Sequence, residues 1–366
     1  MRARGTVLAL AGLLGLGGLA WAQDEASGET KTVTRDEVKS WIIEVDGREW
    51  SVRPAAPTAM GDTGLFRLVG SAYTLPKGYF SLGYSFDNMD RDPKGTDFAV
   101  HGVTFGYGVS NRAEVFGAVG IQNRTKAHYL AELGGPNEYP FPDRGWETGF
   151  GDVFLGAKYS FLNDYLGDAV GLAIKGFVKL PTADEAKGLG TGKASFGADL
   201  ILSKTLDYGA DLHGAVGYEA NGNPDAPTLT PNAFQGPDFV ANAFRWGVGL
   251  NVPACTNVQL QAELTGKVFG DTTVSQTNTA DLVVGVGLWL KPGLYVRPGL
   301  SYALGYDGRG RDVSGAKRSG MQLSIGYHGG TPCCEIYTPP PPPPPPANRP
   351  PTVSLTCGPS PVLPGQ

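Results

Sequence analysis

The sequence predicts an all-β fold: a transmembrane antiparallel up-and-down β-barrel of about 12 strands, followed by a Pro-rich linker. Three observations predict it. The chain holds 54 Gly and 10% aromatic residues but only 18% charged ones, against about 25% in typical globular proteins. Glycine is a poor helix former and aromatic side chains suit strands. Between residues 78 and 328, apolar and polar residues alternate in segments of about 11 residues, and the connections between them are alternately long and short.

The N-terminus sets the compartment. Arg2 and Arg4 form a positive n-region, 7–19 is an apolar stretch, and Ala20-Trp21-Ala22 places small residues at both cleavage-determining positions. Residues 1–22 therefore read as a secretory signal peptide, too short to span a membrane. No cysteine at the junction indicates a lipid anchor. Residues 23–77 read as a periplasmic N-terminal segment, polar over 23–37. Within it Trp41-Ile42-Ile43-Glu44-Val45 and Arg48-Glu49-Trp50-Ser51-Val52 flank Asp46-Gly47. That pair supplies the two positive-φ residues a type I′ turn needs, so a hairpin is expected, either periplasmic or part of a plug.

The barrel reads as strands at 78–86, 97–107, 113–123, 149–161, 169–180, 193–204, 210–220, 238–250, 257–268, 279–290, 294–304 and 318–328. In the ninth, Val258, Leu260, Ala262 and Leu264 alternate with Gln259, Gln261, Glu263 and Thr265. Such lengths suit tilted strands crossing a bilayer, longer than the usual 5–6 residues of globular sheets. Loops 87–96, 124–148, 181–192, 221–237, 269–278 and 305–317 are long; turns 108–112, 162–168, 205–209, 251–256 and 291–293 are short. An even strand count puts both barrel ends on the short-turn, periplasmic side. The second strand breaks alternation at Val100, His101 and Val103, which predicts a slip or bulge. An additional strand, if there is one, is expected at 65–69. Phe86, Tyr218 and Tyr302 are expected in an outer aromatic girdle, Tyr107, Phe161 and Tyr327 in an inner one.

Period two assigns Glu114, Asp152, Lys158, Lys175, Lys179, Asp199, Asp211, Arg245, Glu263, Lys267 and Arg297 to the lumen, with Glu219 and Asp281 beside them. They either line an aqueous path or pair with one another to fill a polar interior, and their signs nearly balance, so no ion selectivity follows. Other chemistries fail on spacing. Lys187 stands where a phosphate loop needs glycine before Gly192-Lys193, and Ala194 replaces its Ser/Thr. Pro93 stands where a calcium loop carrying Asp87, Asn88, Asp90 and Asp92 would need glycine. His213 lies beside Asp211, yet no Gly-x-Ser-x-Gly is present and no serine is placed near it by sequence. An enzyme is not expected, nor a metal site, a cofactor or nucleic-acid binding. Cys255 falls in a periplasmic turn and can bridge to Cys333 or Cys334, which follow the last strand on the same side.

Beyond the barrel, 329–351 reads as a linker whose prolines 339–346 adopt polyproline II. Residues 352–366, with Cys357, read as the truncated start of a further domain.

Gly151-Asp152-Val153, Gly156-Ala157-Lys158-Tyr159, Lys179-Leu180-Pro181-Thr182 and Gly190-Thr191-Gly192 resemble outer-membrane barrels of the MetA-pathway-of-phenol-degradation type. That resemblance implies a porin-like transporter. Asn348-Arg349-Pro350-Pro351-Thr352-Val353-Ser354-Leu355-Thr356-Cys357 resembles the opening strand of an Ig-like or PKD-like repeat, which in OmpA-family proteins sits between a barrel and a peptidoglycan-binding domain. Gly320, Leu323, Ile325 and Tyr327 resemble an internal version of the signal read by the barrel-assembly machinery. The expectation is a passive channel for small solutes in the bacterial outer membrane, among lipid and lipopolysaccharide, with both termini in the periplasm. The alternative is an OmpA-like structural barrel anchoring a peptidoglycan-directed extension.

Overall fold

A computed structural model describes residues 32–337, apart from 92–95, 128–136, 138–144, 225–239, 271–277 and 307–317. The signal peptide, the proline run and the Ig-like segment lie outside the described residues.

Five short strands come first: β1 (Thr32–Val33), β2 (Ile42–Val45), β3 (Arg48–Arg53), β4 (Ala56–Pro57) and β5 (Thr63–Gly64). The wall begins with β6 (Phe80–Arg91), β7 (Thr96–Ser110) and β8 (Ala113–Ala127), and the three-residue β9 (Glu147–Gly149) pairs only with β8. It continues through β10 (Val153–Leu162), β11 (Gly171–Leu180), β12 (Ser195–Thr205), β13 (Asp211–Ala220) and β14 (Ala243–Val252). Then follow β15 (Val258–Phe269), β16 (Thr279–Leu290), β17 (Leu294–Tyr306), β18 (Ser319–His328) and a last strand, β19 (Thr331–Ile336).

Each wall strand pairs antiparallel with its sequence neighbour. β18 returns to β6 and β8 pairs β10, so twelve strands close into a barrel. Closure leaves no open edge among these strands and satisfies the backbone groups that a bilayer cannot. The alternation sorts the side chains. Leu155, Tyr159, Leu200, Leu260, Val284 and Leu300 are exposed on the outside, while Glu114, Lys158, Lys175, Asp199, Glu263 and Arg297 are buried within. A continuous apolar exterior around a charged interior is built to face hydrocarbon. Tyr107, Phe161, Tyr218 and Tyr302 stand exposed on that surface. The bulge expected near His101 is present: the register shifts between His101 and Gly102, with Ile121 of β8 left over.

At the short-turn end, β1, β19, β3 and β2 form a four-stranded sheet. Asp46 and Gly47 take φ of 53° and 73°, as the turn chemistry predicted, and pair β2 with β3. Trp41, Ile43, Trp50 and Val52 pack on Tyr73, Tyr165, Trp289 and Tyr295. This sheet caps the mouth, and a disulfide joins Cys333 of β19 to Cys255 in the turn before β15. Of the two bridges left open by the sequence, this is the one formed.

Three expectations need correction. Residues 23–77 are expected in the periplasm, with the hairpin there or in a plug; the hairpin sits at the mouth and from Pro54 onward the chain enters the lumen, where its polar backbone finds partners. Residues 65–69 form no wall strand; their amides are held by one inward carboxylate. Residues 331–336, read as the start of the linker, form β19, since β3 offers an edge for them to pair with.

Candidate functional site: a lumen filled by its own N-terminal segment

Residues 54–77 form a loop that enters and leaves at the short-turn end. Its entrance is fixed by Arg53, which is buried. The guanidinium lies 3.1 Å from Asp211, donates to the Pro332 carbonyl at 2.9 Å and to Thr205 Oγ1 at 2.7 Å, and stacks 3.8 Å from the Tyr73 ring centroid. Burial opposes this charge, but Asp211, Tyr73 and Asp164 outweigh it and hold the Arg53 pKa above the ordinary arginine value. Beneath the cap, burial pushes the Tyr165 hydroxyl up to about 12. The exit is tied by Gly78, whose amide donates to the Gly108 carbonyl at 2.8 Å.

Inside, the descending limb meets β8, β10 and β11. Glu114 accepts from the Thr63 amide, the Thr63 hydroxyl and the Leu75 amide, each at 2.8 Å, so one carboxylate gathers both limbs. Lys158 neutralises it at 2.9 Å and donates to the Thr63 carbonyl. Lys175 bridges Asp62 of the plug, at 3.3 Å, and Asp199 of the wall, at 3.1 Å. Arg297 donates to the carbonyls of Pro57, at 2.7 Å, and Gly64, at 3.3 Å, and lies over the Phe66 ring. At the tip, Glu263 accepts from four consecutive amides, 66–69, at 2.6–3.3 Å. The Arg67 side chain turns toward the long-loop end, forking onto Asp87 at 2.7 and 3.0 Å and lying 3.7 Å from Asp281.

Close approach is possible because the wall lacks side chains where the plug presses on it. A Cβ on Gly249 would strike Leu65, and one on Gly61 of the plug would strike the Gly117 carbonyl. Met60 of the plug packs on the wall's Phe116 and Phe177, with the half-buried Phe154, in an apolar layer, and Arg245 stacks 4.5 Å from the Phe177 ring centroid. Two water-sized clefts lie beside the plug. One cleft, lined by Phe66, Asp87 and Arg297, holds about 30 Å³, and another, lined by Arg53, Thr63 and His213, about 10 Å³.

Of the lumen residues assigned by period two, Glu114, Lys158, Lys175, Asp211, Glu263 and Arg297 contact the plug or its root, and Asp199 acts through Lys175. Asp152 and Lys179 form a separate pair at 3.3 Å near the long-loop end, with Asp152 accepting from the amides of Thr182 and Ala183. Arg245 contacts Met60 of the plug and pairs with Asp199 at 3.3 Å, and joins these to Glu219 and the half-buried Lys267. The sequence missed Arg53, Asp62 and Arg67 as lumen charges. It also placed no serine by His213, whereas Ser203 Oγ lies 2.8 Å from His213 Nδ1. Ser203 also accepts from the Ala72 amide and is buried under the plug, so this pair fills space and fixes the loop.

The family described as "Putative MetA-pathway of phenol degradation" matches residues 84–310, well over half of the chain. The chain belongs to this family. The quoted motifs of this phenol-degradation family member, from Gly151 to Gly192, fall inside the match. No curated protein matches the sequence. Its fold is similar to an outer-membrane channel from Pseudomonas putida F1, at 14% identity and TM-score 0.49, covering 70% of this chain and 98% of that one. It is also similar to the NanC porin, at 11% identity and TM-score 0.40, covering 67% and 98%. A third likeness is to the CymD monoaromatic hydrocarbon channel, at 10% identity and TM-score 0.35, covering 70% and 90%. At these values the likenesses add nothing to the fold described above.

Proposed function

We propose that the protein is an outer-membrane channel for small solutes, closed at rest by residues 54–77 and opened when that loop shifts or leaves. The observation that carries this reading is how the lumen is filled. A twelve-stranded barrel is wider than the roughly eight strands whose side chains alone fill an interior, and here inward glycines leave further room that a separate loop occupies. The loop is attached to the wall by hydrogen bonds and ion pairs, which water and solute can replace, whereas the disulfide staples only the cap. The short-turn end, with the cap and both chain ends, faces the periplasm in this reading, and the barrel-assembly machinery inserts the barrel among lipid and lipopolysaccharide.

The same filled lumen suits a non-conducting anchor with a peptidoglycan-directed extension, so the two readings need an experiment. Swelling of proteoliposomes in small sugars should be slow with the full chain and fast after deletion of residues 54–75. Heat-modifiable electrophoretic mobility would verify the barrel in both. A folded deletion variant that admits no solute would leave the anchor reading.

A further inference from the structure

Glu263 is fully buried, and among the described residues no lysine or arginine nitrogen comes within ion-pairing distance of it. Its direct partners are backbone dipoles, with the Arg297 guanidinium acting on it from beyond contact distance. Oε2 accepts from the amides of Phe66 and Arg67 at 2.6 and 2.9 Å, and Oε1 from those of Leu68 and Val69 at 2.8 and 3.3 Å. Two adjacent amides for each oxygen make a concavity fitted to a carboxylate, a nest rather than a point contact. The nest belongs to the loop and the carboxylate to the wall. It also sits at the loop's tip, where Arg67 and Leu68 are only half-buried and the Arg67 side chain turns toward the long-loop end.

We propose that the amides of residues 66–69 form a carboxylate receptor for which Glu263 is the built-in occupant. A small monocarboxylate arriving in the lumen then competes for the nest. Once it binds there, Glu263 is left buried without donors, so occupancy by the solute and seating of the loop exclude each other. The inference rests on the channel reading for its purpose, but not for its test. Glu263 holds the nest intramolecularly, at high effective concentration, so free carboxylate acts on the wild type only when abundant.

The test uses the full chain carrying Glu263→Ala, which removes Cγ and the carboxylate and so opens the nest to a small monocarboxylate, with propionate as the probe, and Glu263→Gln as the isosteric check. Trypsin cleavage after Arg67 reports an unseated tip without reference to conduction. The Ala variant should be cleaved at least about tenfold faster than wild type, as expected on loss of charge-assisted hydrogen bonds. Propionate should restore protection and propionamide should not. The Gln variant should be cleaved faster than wild type and gain nothing from propionate, its site being already filled. Cleavage of the Ala variant at the wild-type rate, or equal rescue by propionamide, would overturn the proposal. If propionate protects but neither this variant nor the 54–75 deletion passes solute, the receptor stands and the channel reading falls.

Discussion

Glu114 and Glu263 stand on opposite walls of the barrel, six strands apart in either direction round the ladder, and both accept hydrogen bonds from the backbone of one loop. Glu114 has Lys158 in direct contact; among the described residues Glu263 contacts amides, with Arg297 acting on it from farther off. The loop is thus suspended across the lumen between two carboxylates. Each wall contact can be removed without touching the lipid-facing surface, which makes the arrangement open to mutation.

Lys158→Met should leave Glu114 buried with no cation. Breaking one half of a buried pair costs about 3–5 kcal/mol, so thermal unfolding should move clearly downward. The double substitution Glu114→Gln with Lys158→Met should recover much of the loss, because no charge is then stranded. A double-mutant cycle that adds simply would contradict the pairing.

Arg67→Ala removes the fork onto Asp87 and the contact with Asp281. Arg67 and Asp87 are only partly buried, and the contact with the buried Asp281 is long at 3.7 Å, so about 1–2 kcal/mol is expected, tempered by solvent. Amide exchange across residues 63–75 should accelerate while exchange in β15 stays slow. Uniform acceleration through the wall would mean that Arg67 supports the barrel itself.

Arg53→Lys should not substitute for arginine. Lysine cannot reach Pro332, Thr205 and Asp211 together while stacking on Tyr73. The cap should become sensitive to proteolysis at β2 and β3, with barrel mobility on gels unchanged. Protection equal to wild type would show that the disulfide alone holds the cap.

Cys255→Ser opens a loop closed across 78 residues of sequence. The chain-entropy argument assigns such a closure about 4 kcal/mol. Cap unfolding should then separate from barrel unfolding as an earlier transition in calorimetry. A single unshifted transition would contradict a cap held partly by this bond.

The wall was legible in the sequence because its code is local. Val258 to Leu264 alternate, turns are short, and strand bounds of 279–290 read from pattern are those observed. The loop was not legible. Leu65-Phe66-Arg67-Leu68-Val69 looks like strand because its apolar residues Leu65, Phe66 and Val69 are buried against the wall rather than in it. Its partner, Glu263, lies 194 or more positions away, and alternation shows only that this carboxylate points inward. A signal was present in Gly249, Gly285 and Gly299, inward positions without side chains that now accept Leu65 and Phe66. A wall with such gaps has to be filled by something else.

Single-channel conductance in planar bilayers tests the central claim most directly. The full chain should show long closed periods with brief openings, and the 54–75 deletion variant a steady conductance several times larger. Equal, steady conductance from both would contradict a lumen closed by this loop, as would silence from both.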